Sequence, residues 1–216
     1  MARGAVAQES LQSAATRHGI ASILCNVVLA GFFSLFVIAQ LTNTESWDWL
    51  RSFPIVVQVS VMVILFLTRR PSAATTSNKI EWGVAVAGTL SPMLMRPSPL
   101  PGDFTWLGQP LQAAALALST VALLSIGRSI AVVPANRGIK TGGAYRVVRH
   151  PIYAAYILTF AGYVMCSPTV RNAIVGTVTL LLLAIRALFE ERFLMRDPEY
   201  AAYAEKVRWR MLPLIF

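Results

Sequence analysis

The chain has 216 residues, of which 56% are hydrophobic and 13% charged, with a mean hydropathy of +0.59. A soluble domain carries about 25% charged residues, so this composition excludes an ordinary soluble globule and points to a bilayer. The net charge is +9. No basic patch with interleaved aromatics lies outside the apolar stretches, so the charge reads as basic loops that orient a membrane protein and meet anionic lipid; no nucleic-acid partner is expected.

A helix crosses a bilayer with about 20 apolar residues, or roughly 17–25 with tilt. In chain order, Arg3 and Arg17 precede an apolar run at 20–41, which reads as a signal anchor rather than a cleaved signal. A second run, 53–68, is short and is helped by Trp47 and Trp49 at the interface. A third, 80–95, is interrupted by Gly83, Gly88 and Pro92, and its small residues Gly83, Ala87 and Gly88 hint at close packing. The Pro-rich stretch 96–106 follows as an outer connection without chemistry. A fourth run spans 107–133. A fifth and a sixth, 151–167 and 171–189, are separated by the polar break CSPTVRN, read as a helix–turn–helix connection.

The expected fold is therefore an all-α integral membrane bundle of about six spans, five being the alternative. Six spans put 15 of the 19 Lys and Arg residues on the N-terminal side and three opposite, with Arg186 inside a span. That bias makes both termini cytoplasmic. It also places the loop 134–150 and the tail 190–216 on one cytoplasmic face. Residues 1–133 read as the N-terminal spans, and 134–216 as the part that carries the chemistry. Cys25 and Cys166 lie in apolar stretches and read as buried thiols, with no disulfide framework or metal site. The chain ends Pro213-Leu214-Ile215-Phe216, so prenylation of its own C-terminus is not expected.

The polar chemistry begins at Gly142-Gly143-Ala144-Tyr145, a tight bend, and continues to Arg149-His150-Pro151-Ile152-Tyr153. Proline suits the first position of a helix, so the fifth span begins at Pro151 with His150 as its cap. The positive helix start beside Arg149 forms an anion site. Taken alone, the stretch could equally be an interfacial anchor. The sixth span returns the chain, so Glu190 and Glu191 arrive near Arg149 and His150. Carboxylates at a helix C-terminus oppose its dipole and need a second cause. Arg149, Arg186 or a cationic ligand would supply one; a plain surface pair between Arg186 and Glu190, at i and i+4, is the simplest case. In the tail, Asp197-Pro198 opens a short helix, and Tyr200 and Tyr203 share one face. Arg208 and Arg210 flank Trp209; alone, the tail reads as an interfacial amphipathic helix with snorkelling arginines. Together these pieces describe a pocket with both charge signs that opens towards lipid.

The order Gly-x-Tyr-x-x-x-Arg-His-Pro-x-Tyr at 143–153, then Glu190-Glu191, then Tyr-x-x-Tyr at 200–203 before Arg210 and Pro213, resembles the isoprenylcysteine carboxyl methyltransferase family and the related phospholipid N-methyltransferases. The resemblance covers about the last 80 residues, with Ala155 and Arg196-Asp197 as departures from the usual pattern. It implies a short bacterial-type member in the inner membrane, transferring methyl from S-adenosylmethionine to a lipophilic or lipidated acceptor. It further implies that Tyr145, His150, Tyr153, Glu190, Glu191 and Tyr200 bind the cofactor. Arg149, Tyr203, Arg208 and Arg210 are its candidates for the cofactor carboxylate or the substrate. Two readings from other classes are an NADPH-dependent sterol-type reductase, which carries a similar Arg-His-Pro-x-Tyr segment, and a non-catalytic membrane scaffold. The acceptor class (carboxylate, thiol or amine) and the oligomeric state stay open.

Overall fold

The computed structural model describes residues 23–24, 26–35, 38, 49–96, 98, 100 and 102–213. Arg3, Arg17, Cys25, part of the first expected span and Leu214-Ile215-Phe216 lie outside these. The chain forms two compact units, Met1–Pro71 and Ser72–Phe216. The first contains helix α1 (Asn26–Leu35) and helix α2 (Trp49–Thr68). Phe33 and Phe66 stack with centroids 5.5 Å apart, and Arg69 Nε donates to Asn26 Oδ1.

The second unit holds α3 (Lys79–Leu90), α4 (Thr105–Ile126), α5 (Pro151–Cys166), α6 (Val170–Leu194) and α7 (Pro198–Lys206). Its only strands among the described residues, β1 (Ala74–Thr75) and β2 (Ala135–Asn136), pair antiparallel with Ala74 opposite Asn136. Two stretches are long and apolar enough to cross a membrane, Thr105–Ser129 and Val170–Leu194. They coincide with the fourth and sixth expected runs. The fifth run is α5, apolar but only 16 residues, about 24 Å long. The third run is α3 followed by a 3-10 turn at Ser91–Leu94, with Pro92 in the turn.

Local chemistry explains the boundaries. Asn78 Oδ1 accepts from Ile80 N at 2.9 Å and caps α3. Gly127, at φ +51°, ends α4 in a conformation that glycine tolerates. Pro151 opens α5, and Pro168 prevents its continuation. Thr169 Oγ1 accepts from Asn172 N at 3.1 Å and starts α6. Asn172 is fully buried and ties three segments: Nδ2 donates to Arg96 O (2.8 Å) and Ser167 O (2.9 Å), and Oδ1 accepts from Arg96 N (3.1 Å). Within the polar break, Asn172 is thus a buried tie at the far end of the hairpin.

Packing depends on small residues. A Cβ on Gly108 would lie 2.7 Å from Gly162 O, and one on Gly162 would lie 2.6 Å from Gly108 O. The backbones of α4 and α5 therefore touch at this crossing. Gly88 packs on Leu182 and Leu183 of α6, while Gly83 meets nothing within 4 Å. Ser91 Oγ and Thr179 Oγ1, 2.8 Å apart, add a polar link between the 3-10 turn and α6.

Candidate functional site

Gly143 turns at φ +59°, and a Cβ there would collide with Ser125 Oγ, to which Ala144 N donates at 3.3 Å. The bend read from Gly142-Gly143 rests on Gly143, since Gly142 is extended. It packs Tyr145 into the end of α4. The chain then reaches His150, the N-cap of α5 as expected, although its side chain caps nothing. His150 Nε2 lies 3.2 Å from Glu191 Oε1 instead.

Glu191 is the centre of the charged cluster. It is 5% exposed, and both its oxygens are engaged. Arg149 Nε lies 3.1 Å from Oε1, and Arg210 Nε donates to Oε2 at 2.7 Å. The Arg149 Nε–H is buried and poorly aligned, so that contact is an ion pair without a hydrogen bond. Three cationic or protonatable side chains thus surround one carboxylate. This is the second cause that the helix C-terminus required.

The tail reaches the cluster through its backbone. After α7 ends at Lys206, the chain is extended, and Arg149 N donates to Trp209 O (2.9 Å) and His150 N to Arg210 O (2.7 Å). Arg208 and Arg210 therefore lie beyond the helix, not on an amphipathic face of it. The N–H groups of Arg149 and His150, just before α5, are therefore engaged by the tail. Met211, 5% exposed, packs beside Tyr153 in the core. Sequence reading missed these backbone partners, which no local pattern in the tail announces.

Glu190 is half-buried and accepts from Tyr153 Oη at 3.0 Å. The His150 and Tyr153 rings stack 5.3 Å apart. Arg186 does not pair with Glu190. Its Cζ lies 5.5 Å from the Tyr153 ring centroid, and its Nη2 donates to Ala131 O at 3.1 Å. The plain i, i+4 salt bridge is therefore absent, and Tyr153 stands between the two charges.

Tyr145, Tyr200 and Tyr203 form a second buried cluster, closed by Ile126, Ile139 and Leu194. Asp197 caps α7 by accepting from Glu199 N at 2.9 Å, with Pro198 at the first helical position. This turns Tyr200 and Tyr203 inwards, with rings 5.7 Å apart, and Tyr203 Oη donates to Tyr145 O at 2.7 Å. Tyr200 Oη is buried without a hydrogen-bond partner. Burial pushes the Tyr203 hydroxyl up to about 12, with Glu191 adding to it and Arg149 opposing. Burial and the Glu190 charge hold Tyr145 well above its usual range, and burial with the Glu191 and Glu190 charges raises Tyr200 further than Tyr203. All three stay neutral at physiological pH.

Of the ten expected site residues, nine gather at this end of α5 and α6. Arg208 is exposed and makes no hydrogen bond or ion pair with them. An open groove of about 490 Å³ lies against Tyr203, lined also by Thr141, Arg146 and Lys206. It does not touch Glu190, Glu191, Arg149 or His150, so it is not where the charges converge.

Residues 104–201 match the family described as phospholipid methyltransferase. The matched segment runs from the start of α4 into α7 and contains Arg149-His150-Pro151, Glu190 and Glu191. Over these residues, somewhat less than half of the chain, it is similar to that family. The eukaryotic intramembrane Ras methyltransferase, an isoprenylcysteine carboxyl methyltransferase solved without a monobody, is similar at 16% identity. That match covers 87% of this chain and 76% of the other, with a TM-score of 0.48. No curated protein sequence matches the chain.

Proposed function

We propose that the chain is an S-adenosylmethionine-dependent methyltransferase acting, on the cytoplasmic side of the membrane, on a lipophilic acceptor, foremost a carboxylate of the isoprenylcysteine kind or a thiol. The observation that carries the reading is the convergence of Arg149-His150, Glu190-Glu191 and the tail on one end of α5 and α6. The residues fit a zwitterionic cofactor. Glu190 offers a half-exposed carboxylate, and Tyr200 Oη is a buried hydroxyl that no protein group satisfies. Tyr153 and His150 offer aromatic faces to a sulfonium.

When bound, S-adenosylmethionine supplies a methyl group already activated by positive sulfur. The chain's task is then alignment and charge. Glu191 fixes Arg149, so its remaining N–H groups are preorganised for an anion, and it ties Arg210 and the tail to the same place. Transfer to a carboxylate exchanges a carbon–sulfur bond for a carbon–oxygen bond and releases no proton. An amine acceptor releases one, and His150, held by Glu191, is the base within the cluster. The family match at 104–201 keeps phospholipid amines as the second acceptor class.

The test is thermal unfolding of the purified protein with S-adenosylhomocysteine and, separately, with NADPH. A ligand at 100 times its Kd stabilises the native state by about 2.7 kcal/mol. Stabilisation by S-adenosylhomocysteine is expected. Stabilisation by NADPH alone would replace this reading with a reductase, and none by either would leave a scaffold.

A further inference from the structure

Arg186 lies deep in Val170–Leu194, between Arg171 at its start and Arg192 in its last turn, and the cofactor pocket leaves it unused. An ionised side chain within a span is costly and is kept where it meets a partner or a ligand. Its protein partners are few: one carbonyl, Ala131 O, and one ring, Tyr153. Among the described residues it has no carboxylate at ion-pair distance, because Glu190 is turned to Tyr153. Most of its five donors are left over.

Its position on α6 says what those donors face. Ile174, Val178, Leu181, Ile185 and Leu188 are all exposed and form one stripe at spacings of four and three. At about 100° per residue, Arg186 lies roughly 100° round from Ile185 and about 40° from Glu190. It therefore stands on the flank between the apolar stripe and the charged cluster. A hydrocarbon tail lying along the stripe would bring a headgroup to Arg186, one turn short of Glu190.

We infer that Arg186 receives the anionic group of the lipophilic acceptor, a carboxylate or phosphodiester at the end of a hydrocarbon tail. This deepens the methyltransferase reading and rests on it. Arg186 is then a residue that selects anionic acceptors. The cation lies beside the Tyr153 ring, and Tyr153 in turn donates to Glu190. One tyrosine thus joins the acceptor side to the cofactor side.

The experiment uses the full chain in a maltoside detergent without phospholipid, comparing wild type with Arg186→Gln and Arg186→Lys. Three probes are titrated: S-adenosylhomocysteine, N-acetyl-S-farnesylcysteine with its methyl ester as the uncharged control, and dioleoylphosphatidylglycerol. Loss of charge-assisted hydrogen bonds should weaken the anionic probe about tenfold or more in Arg186→Gln. Arg186→Lys should recover part of it, with S-adenosylhomocysteine changed less than twofold in both. Sensitivity confined to the carboxylate identifies the acceptor's own anion; sensitivity confined to phosphatidylglycerol identifies a phosphodiester. Unchanged binding of both anionic probes in Arg186→Gln overturns the inference, and so does an equal loss of S-adenosylhomocysteine. Failure of wild type to bind S-adenosylhomocysteine overturns the methyltransferase reading instead, and the two failures are separate.

Discussion

Arg210 Nε donates to Glu191 Oε2 at 2.7 Å, joining the C-terminal tail to the end of α6 across 19 residues. The same carboxylate faces Arg149 and His150 at the start of α5. One buried side chain therefore holds together the three segments from which the site is built. Glu190, its neighbour, is spent on a single tyrosine hydroxyl. The paired glutamates thus differ: Glu191 ties the segments together, and Glu190 is the carboxylate that we propose meets the cofactor.

Glu191→Gln should loosen the tail. It removes the negative member of a buried ionic cluster, and breaking such a cluster costs about 3 kcal/mol or more. Thermal unfolding and limited proteolysis after Arg208 or Arg210 measure it. An unchanged midpoint with a protected tail would show that the backbone bonds of Trp209 and Arg210 suffice alone.

Tyr153→Phe keeps the ring beside His150 and Arg186 and deletes only the donor to Glu190. A hydrogen bond to a charged group contributes roughly 1.5–3 kcal/mol. S-adenosylhomocysteine affinity should fall about tenfold by calorimetry, with little loss of fold. No change in affinity would separate Glu190 from the cofactor.

The α4–α5 crossing gives a stability contrast. Gly162→Ala places a methyl group against Gly108 O and Gln112 and should destabilise by about 1–3 kcal/mol. Gly83→Ala has open space and should be neutral or stabilising by up to about 1 kcal/mol. Unfolding midpoints of the two variants in one detergent compare them directly.

Alkali should unfold the protein before it titrates the site. The Tyr203 hydroxyl is pushed up to about 12, against a usual 10.0. Between these values the unfolded chain loses a proton that the folded chain keeps. Stability is therefore undiminished below pH 10 and falls as pH rises through 12, at about 1.36 kcal/mol per pH unit for this tyrosine. Tyr145 and Tyr200, also raised by burial, steepen the same fall. Absorbance of tyrosinate should lag behind that of a denatured control until the helical signal collapses. Full ionisation of all six tyrosines at pH 11 with intact helices would contradict the burial.

Much of this protein is determined by its sequence. Pro151, Pro168, Asp197-Pro198 and the apolar runs set where α5, α6 and α7 begin and end, because capping and helix breaking are local. A hairpin of two apolar helices then brings Arg149-His150 and Glu190-Glu191 to the same end whatever the details. Tertiary structure decided the pairing. Local spacing allowed a pair between Arg186 and Glu190; the packing sent Arg186 to Ala131 O and gave Glu190 to Tyr153. The tail's arginines read as residues of an amphipathic helix, but the chain left the helix at Lys206 and put Arg210 on Glu191 while Arg208 stayed exposed. The close crossing fell at Gly108 and Gly162 rather than at Gly83. Such contacts depend on how helices turn and slide against one another, and packing between residues distant in sequence sets that, not the periodicity of any one segment.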